Sequence, residues 1–521
     1  MRTIEEIIQT INPHLAILED ISTRERPAKR RAIEAVKKEA LQVEDRDDAC
    51  LFANALLTKL QDSLFICSDS AVEGVREQTV EILKSLVDRC EKGSIPKSAT
   101  ECLLQHLIKR LRLETTEEIR DAWMQLCATL LAKLTSLKIS IKESELFMEA
   151  MSIAGDDPFA EIQKQCANLI ILYAKEQPKS VDYACEKMIR LVIPLLLHKH
   201  TAVRVKGIKA MEAVLIASPK GLHLLFEHDE KFDKQPIIPA LIYDNSALVR
   251  DNLFFVLGHL LCSWGPRDRY QYGKHFLPII LSGSLDDLPS IQTTCISSLS
   301  QVGKSCTQDL FDADIIKKIP ADEQQAVNIG KITFALIEFT RCINISSCLG
   351  LRHLVHMCYD HCVLYLLHGI TDFIRVKQET GLDSLKLFLQ YVSTDDLVKS
   401  MKKLTHYLFI AYAIHTESTT EDKIYDILSL INAQLPSPEI FLDALLPRLE
   451  SKSLAAEKNG YPGCITVNVV VAFLHHFIKT IIVTESIQKR IIITISKPYL
   501  IDYIDKEKLE KLKSSIIQNT V

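Results

Sequence analysis

The stretch Leu191-Val192-Ile193-Pro194-Leu195-Leu196, followed by Val203-Arg204 and then by Ile208, Met211 and Leu215, decides the fold. Its first six residues are an apolar run with one proline inside it. Its last three recur three and four residues apart, the period of an α-helix. Apolar side chains at that period form a stripe along one helix face, and such a helix is stable only when the stripe packs on a neighbour. The pattern returns one unit later, where Leu253, Val256, Leu257, Leu260 and Leu261 follow Val249-Arg250. Convincing period-two alternation, the mark of a half-buried strand, is absent. The one ambiguous stretch is the β-branched run Ile491–Ile495.

Working outward, a turn followed by an aliphatic-Arg step opens a helix again and again. It occurs at Asp69…Val75-Arg76, Ile119-Arg120, Val203-Arg204, Val249-Arg250 and Ile374-Arg375, with Asp157-Pro158…Ile162-Gln163 and Asp286-Asp287…Ile291-Gln292 in the same place. The intervals are 44, 43, 41, 46 and 42 residues, and then 83, which reads as two units. A proline inside an apolar run, at Pro194, Pro239, Pro278 and Pro447, marks the other helix of a unit. Proline removes a backbone donor there and kinks the helix. A two-helix unit of about 40–47 residues with these landmarks is the HEAT repeat. One helix pair cannot bury its apolar face alone, so pairs stack into a solenoid with one continuous core. The expected fold is therefore all-α, a HEAT/armadillo-like superhelix. The turn Asp is expected to cap the second helix, and the Arg to reach an acidic or carbonyl group of the adjacent unit.

Composition agrees. A chain of 521 residues would ordinarily hold several compact domains, but it has only 16 glycines and 18 prolines. Hairpins and phosphate-cradling loops need more glycine than that. Aromatics are 7% and the net charge is −5, which argues against an all-β chain and against a globally basic nucleic-acid binder. Fifteen cysteines, irregularly spaced and without CxxC, read as reduced thiols filling a core. Met1 to Asn12 lacks the basic-then-apolar pattern of a signal peptide, and the apolar runs near Leu191–Leu197 and Val469–Leu474 are too short to span a bilayer. These features predict a soluble intracellular chain. Regularity weakens at Thr307–Val327 and at Ser451–Gly463. The expected organisation is a HEAT block over 1–306, an irregular linker over 307–327, a second block over 328–450 and a helical C-terminal segment over 451–521. Tyr503–Val521, with Leu509, Leu512 and Ile516 on one side, reads as a capping helix or a partner-binding helix.

Few motifs carry chemistry. Gly303-Lys304-Ser305 resembles the end of a phosphate-binding loop, but Ser298 stands where the first glycine belongs, and the segment ends a helix. His223, Glu227 and His228 are spaced one residue too far apart for an inverse zinc-protease motif. His353, His356, Cys358, His361 and Cys362 bring zinc-type ligand chemistry together, yet the histidine pair and the cysteine pair fall on different faces of a helix. They read as core and boundary residues, with no resident metal or other cofactor expected. Arg24, Arg26, Lys29, Arg30, Arg31, Lys37 and Lys38 read as the solvated face of a helix, with a site for an acidic partner or a nuclear address as the alternatives. No Ser/His/Asp or Cys/His arrangement can be assembled, so no enzymatic activity is expected.

The middle of the chain is similar to the dynein axonemal assembly factor 5 family. The similarity lies in Leu260-Leu261-Cys262 followed by Arg267-Asp268-Arg269-Tyr270, and continues through Lys274, Leu277-Pro278, Leu281-Ser282 and Asp287…Pro289. Asp157-Pro158-Phe159-Ala160, Val203-Arg204-Val205 and Lys29-Arg30-Arg31-Ala32 resemble the same family, over roughly residues 25 to 450. The resemblance implies a cytoplasmic, non-catalytic, scaffold- or co-chaperone-like factor for preassembly of axonemal dynein arms, supporting motile cilia or flagella. The implied partners are axonemal dynein chains including intermediate chains, chaperones and other assembly factors, with no nucleic acid, membrane or small-molecule substrate. Relatives of this family are longer, and Ser451–Val521 does not obviously match them. The alternative is another HEAT scaffold, such as a transport receptor or a phosphatase regulatory subunit. Arg267, Asp268, Arg269 and Tyr270 are expected in a loop between repeats, as a partner contact or an inter-repeat brace.

Overall fold

At seven unit boundaries among the described residues a polar side chain closes the turn, and at six of them a buried aliphatic residue follows in the next helix. In the computed structural model, Ser70, Glu114, Asp157, His198, Asp244, Asp286 and Asp372 each accept a hydrogen bond from the backbone N–H two residues on, at 2.8–3.2 Å. That N–H belongs to the residue just before the helix. The turn side chain thus shapes the entry as an Asx-type turn, and the expected direct cap is not formed: Val72, Thr116, Phe159 and His200 are the N-caps and make no side-chain cap bond. Three residues into the helix, Val75, Ile119, Ile162, Val203, Val249 and Ile291 are all buried to 1% exposure or less.

The described residues are 3–20, 26–41, 49–134, 139–227, 236–284, 286–309, 355, 358–414, 418–449, 463–481, 483–500 and 506–518; they are overwhelmingly helical, with no β-strand among them. They fall into two compact units, Met1–Val256 and Leu257–Val521. In the first unit, antiparallel pairs stack in order. The first helices of the pairs are Ile4–Glu19, Ala49–Ser68, Lys97–Leu113, Ile141–Gly155 and Cys185–Leu196. The second helices are Arg26–Leu41, Glu73–Arg89, Glu117–Lys133, Ala160–Glu176 and Thr201–Ala217. Each first helix packs on the first helix of the next pair, and each second on the next second. Four consecutive second helices after the opening pair, and Ala247–Ser263 beyond them, are each 17 residues long.

The second unit repeats the plan. The row Arg375–Leu389, Ser418–Gln434, Gly463–Thr480 and Lys506–Gln518 forms one side, and Thr394–Ile414 packs on Pro438–Leu445 on the other. The C-terminal segment therefore continues the stack. Lys506–Gln518 lies on Gly463–Thr480 and buries Leu512 and Ile516, and the β-branched run Ile491–Ile495 is the end of helix Glu485–Ile495. Each fully buried Leu or Ile in these stripes contributes about 1.5–3 kcal/mol.

Two expectations from the repeat arithmetic are corrected. Arg375 is the first residue of its helix, whereas Arg76, Arg120, Gln163, Arg204, Arg250 and Gln292 each stand fourth. The fourth position of Arg375–Leu389 is Gln378, fully buried. The long interval is also one step of the stack and not two. Ser284 Oγ lies 2.8 Å from Ser384 Oγ, and Lys377 Nζ lies 3.8 Å from Asp287, so helices Pro289–Asp309 and Arg375–Leu389 belong to neighbouring pairs. The Thr307–Val327 linker falls almost wholly outside the described residues.

The marked prolines behave differently from one another. Pro194 and Pro278 sit inside helices. Pro239 falls in the first turn of Ile237–Ile242, where its missing N–H has no intrahelical partner to lose. Pro447 lies in the 3-10 turn Leu446–Leu449. Ala49–Ser68 is long and apolar enough to cross a membrane by length and composition, contrary to expectation, but it packs between neighbouring helices as part of the repeat core.

Candidate functional site

Arg267, Asp268, Arg269 and Tyr270 do not form a loop. They make the first turn of helix Pro266–Gly283, which Pro266 starts at the position proline favours. Arg269 is turned inward, 5% exposed, and its guanidinium donates to the carbonyls of Leu261 (2.5 Å), Cys262 (3.2 Å), Trp264 (2.7 Å) and Ser305 (3.4 Å). Carbonyls at the end of a helix lack intrahelical donors. Arg269 supplies them for the end of Ala247–Ser263, while the Trp264 indole stacks on Phe276 at 5.4 Å. Arg269 is thus a brace. Arg267 is exposed and Asp268 half-buried. The Tyr270 side chain lies outside the described residues.

The repeat position that the sequence marks with Arg has a double geometry. Arg76, Arg120, Arg204 and Arg250, and Gln163 and Gln292 in their place, each donate to the backbone carbonyl six residues earlier at 2.7–3.0 Å. Arginines of this position also reach forward to the acid of the next turn: Arg76 to Glu114 (2.8 Å), Arg120 to Asp157 (2.7 Å) and Arg204 to Asp244 (2.8 Å). The bidentate fork suits Arg and not Lys. Gln163 keeps the first bond and cannot make the second, and the turn it would face, His198-Lys199-His200, holds no carboxylate. Glu114 went unmarked by the sequence pattern, because the turn acid there is one methylene longer than Asp157 or Asp286 in the same place.

The metal candidate lies only partly within the described residues. His353 and His356 lie outside the described residues. Cys358 and Cys362 are buried and His361 is exposed, all on helix 358–369. Burial pushes the Cys358 thiol up to about 12, slightly offset by Lys274, and the Cys362 thiol well above the usual thiol range. Among the described residues no group of three His, Cys, Asp or Glu could hold a metal ion. Gly303-Lys304-Ser305 lies within helix Pro289–Asp309, with no strand before it. His223 sits in the 3-10 segment Pro219–Leu225; His228 lies outside the described residues. In the basic N-terminal stretch, Lys29 donates to the carbonyls of Leu18 and Asp20, and Lys37 pairs with Glu81 at 2.5 Å; Arg26, Arg30, Arg31 and Lys38 are exposed, and Arg24 lies outside the described residues. The described cysteines are free thiols, most of them buried.

The chain matches a family model described as dynein axonemal assembly factor 5-like, TPR repeats, over residues 20–311. The intervals of 41–46 residues measured above are longer than the ~34 of a TPR unit and agree with HEAT spacing. The chain is 23% identical over 482 residues to dynein axonemal assembly factor 5 of Xenopus laevis, covering 89% of this chain and 52% of that protein. It is 24% identical over 462 residues to the Homo sapiens protein of the same name, covering 84% and 49%. The chain thus spans about half the length of the curated relatives it matches. A match covering 89% of the chain leaves fewer residues unmatched than 451–521 contains, so the similarity reaches into the C-terminal segment, where none was expected. Among solved structures, a Kap121p mutant aligns over 98% of the chain and 53% of its own at 13% identity and a TM-score of 0.39. A designed armadillo repeat protein aligns over 48% and 99% at 15% identity and a TM-score of 0.31. With more than half of its length matched by the family model, this chain belongs to the dynein axonemal assembly factor 5-like family.

Proposed function

We propose that the chain is a non-catalytic scaffold for the cytoplasmic preassembly of axonemal dynein arms, supporting motile cilia or flagella. The observation that carries this reading is the family match over residues 20–311, joined to relatives that bear the assembly-factor name. The physics of the fold supports it. A stack of helix pairs offers a long surface on which many modest contacts add up to affinity, without a catalytic centre. Its partners on this reading are unfinished dynein chains, intermediate chains among them, together with chaperones and other assembly factors. The division into blocks 1–306 and 328–450 with the segment 451–521 is part of the same proposal. Loss of the gene in ciliated or flagellated cells tests it. Axonemes lacking outer or inner dynein arms by electron microscopy are expected, and a full set of arms on the mutant axonemes sinks the reading.

A further inference from the structure

In the unit Leu257–Val521, cations on one row of helices are paired with carboxylates. Lys386 meets Asp426 at 2.7 Å, Lys423 meets Asp383 at 2.5 Å, and Arg375 meets Glu379 at 2.9 Å. The other row differs. Its helices Pro266–Gly283, 358–369 and Thr394–Ile414 are neighbours: Val355, just before the second, lines a small apolar cavity with Leu277 and Leu281 of the first, and His368 of the second meets Tyr407 of the third edge-on at 5.7 Å. Their solvent faces carry Arg267 and Lys274 on the first helix and Lys399, Lys402 and Lys403 on the third, all exposed. None of these five is in an ion pair with a carboxylate among the described residues. Between the two cationic helices stand Leu364, 42% exposed, and Tyr365, 50% exposed. Asp360 and Asp395 are the exposed acids of the same faces, so the balance is positive in a chain whose net charge is −5.

We propose that this face is a docking surface for an acidic protein segment that lays an apolar side chain against Leu364 and Tyr365 between its two cationic flanks. Neighbouring helix axes lie about 8–10 Å apart, so the flanks are separated by a span that a short peptide covers. Unpaired lysines gain Coulomb energy from an incoming carboxylate without first breaking a pair, and an aromatic–aliphatic anchor in the centre is the arrangement that concentrates binding energy. A nucleic acid is the poorer fit, since a single tyrosine offers no stacking platform. The proposal rests on the scaffold reading only in making the partner a protein.

The test uses the full chain and a fluorescein-labelled peptide composed of glutamate and leucine, read by anisotropy. Binding that weakens steeply with added salt is expected. The triple variant Lys399→Glu, Lys402→Glu, Lys403→Glu should lose about tenfold or more in affinity, and Tyr365→Ala about tenfold. Lys386→Glu, on the paired row, should leave binding unchanged. Lys399, Lys402, Lys403 and Tyr365 are all exposed, so thermal melts of their variants should coincide with wild type. Triple-variant affinity equal to wild type overturns the proposal. So does tighter binding of phosphatidylserine vesicles or duplex DNA than of the peptide, with the same dependence on the three lysines. Intact dynein arms after gene loss would sink the assembly reading and leave this binding result standing, so the two failures are distinguishable.

Discussion

Glu114 lies where two arginines of different helices converge. Its side chain is 1% exposed, and burial alone would raise its pKa. The Arg76 fork, the Thr116 N–H and Arg110 outweigh that and hold the carboxyl at about 2. Arg110 in turn reaches Asp69 at 2.6 Å, so one buried carboxylate ties together two helices and a turn. His106 is a buried group of the opposite kind. Its ring stacks on Phe65 at 3.9 Å, and Nε2 lies 2.6 Å from Ser68 Oγ. Ser68 already donates to the Phe65 carbonyl at 2.7 Å, so Nε2 must carry the proton. Burial pushes its pKa down to about 4, with Asp69 pulling up and Lys109 and Arg110 pulling down. The folded state therefore prefers neutral His106. Its contribution is complete above the unfolded value of about 6.5 and is lost as pH falls through about 4. Urea unfolding at pH 7 and near pH 4 should show His106→Phe losing less stability on acidification than wild type. Equal losses would remove His106 from the account.

At the scale of the element, helix pairs close up where a glycine lets backbones meet. A Cβ on Gly381, in helix Arg375–Leu389, would lie 2.8 Å from the backbone C and O of Gly369 and 3.0 Å from the N of Ile370. Gly207 stands against Leu195 in the same way, with a contact of 3.0 Å. Backbone cannot swing aside as a side-chain tip can. Gly381→Ala should therefore destabilise by about 1–3 kcal/mol from overpacking, against a helix-propensity gain of about 1 kcal/mol. At Gly265, a Cβ meets nothing within 4 Å, and φ is −65°. Gly265→Ala should melt with wild type, and a Gly381→Ala melt no lower than that of Gly265→Ala would contradict the close approach.

For the molecule as a whole, each pair touches its neighbours in the row, so stability is close to a sum of local terms. The Arg120–Asp157 pair, with both side chains 7% exposed, belongs to one such interface. Arg120→Ala strands the Asp157 carboxylate and the Glu114 carbonyl, and should cost about 3–5 kcal/mol. Hydrogen exchange should show the lost protection concentrated in Glu117–Lys133 and the helices it packs on, Glu73–Arg89, Lys97–Leu113 and Ala160–Glu176. Protection lost evenly over Met1–Val256 would instead mean that this unit opens as one block.

The sequence by itself determined the element type and the unit length. Helical period and the aliphatic-Arg or aliphatic-Gln step are local properties, repeated along the chain, and local rules suffice to read them. It also marked Arg269 as worth naming. Tertiary structure alone decided that Arg269 points inward, because which carbonyls of Ala247–Ser263 lack donors depends on where the next helix returns. Gln378 was hidden because its unit lacks the aliphatic residue before the rung: Lys377 stands there, and Arg375, three residues early, imitates the signal. The long interval misled for a related reason. Chain length counts residues, whereas the stack counts contacts, and the meetings of Ser284 with Ser384 and of Lys377 with Asp287 make those two pairs neighbours. The cationic face was invisible for the same cause: Lys399, Lys402 and Lys403 look like any solvated helix face until the placement of carboxylates shows which lysines are paired.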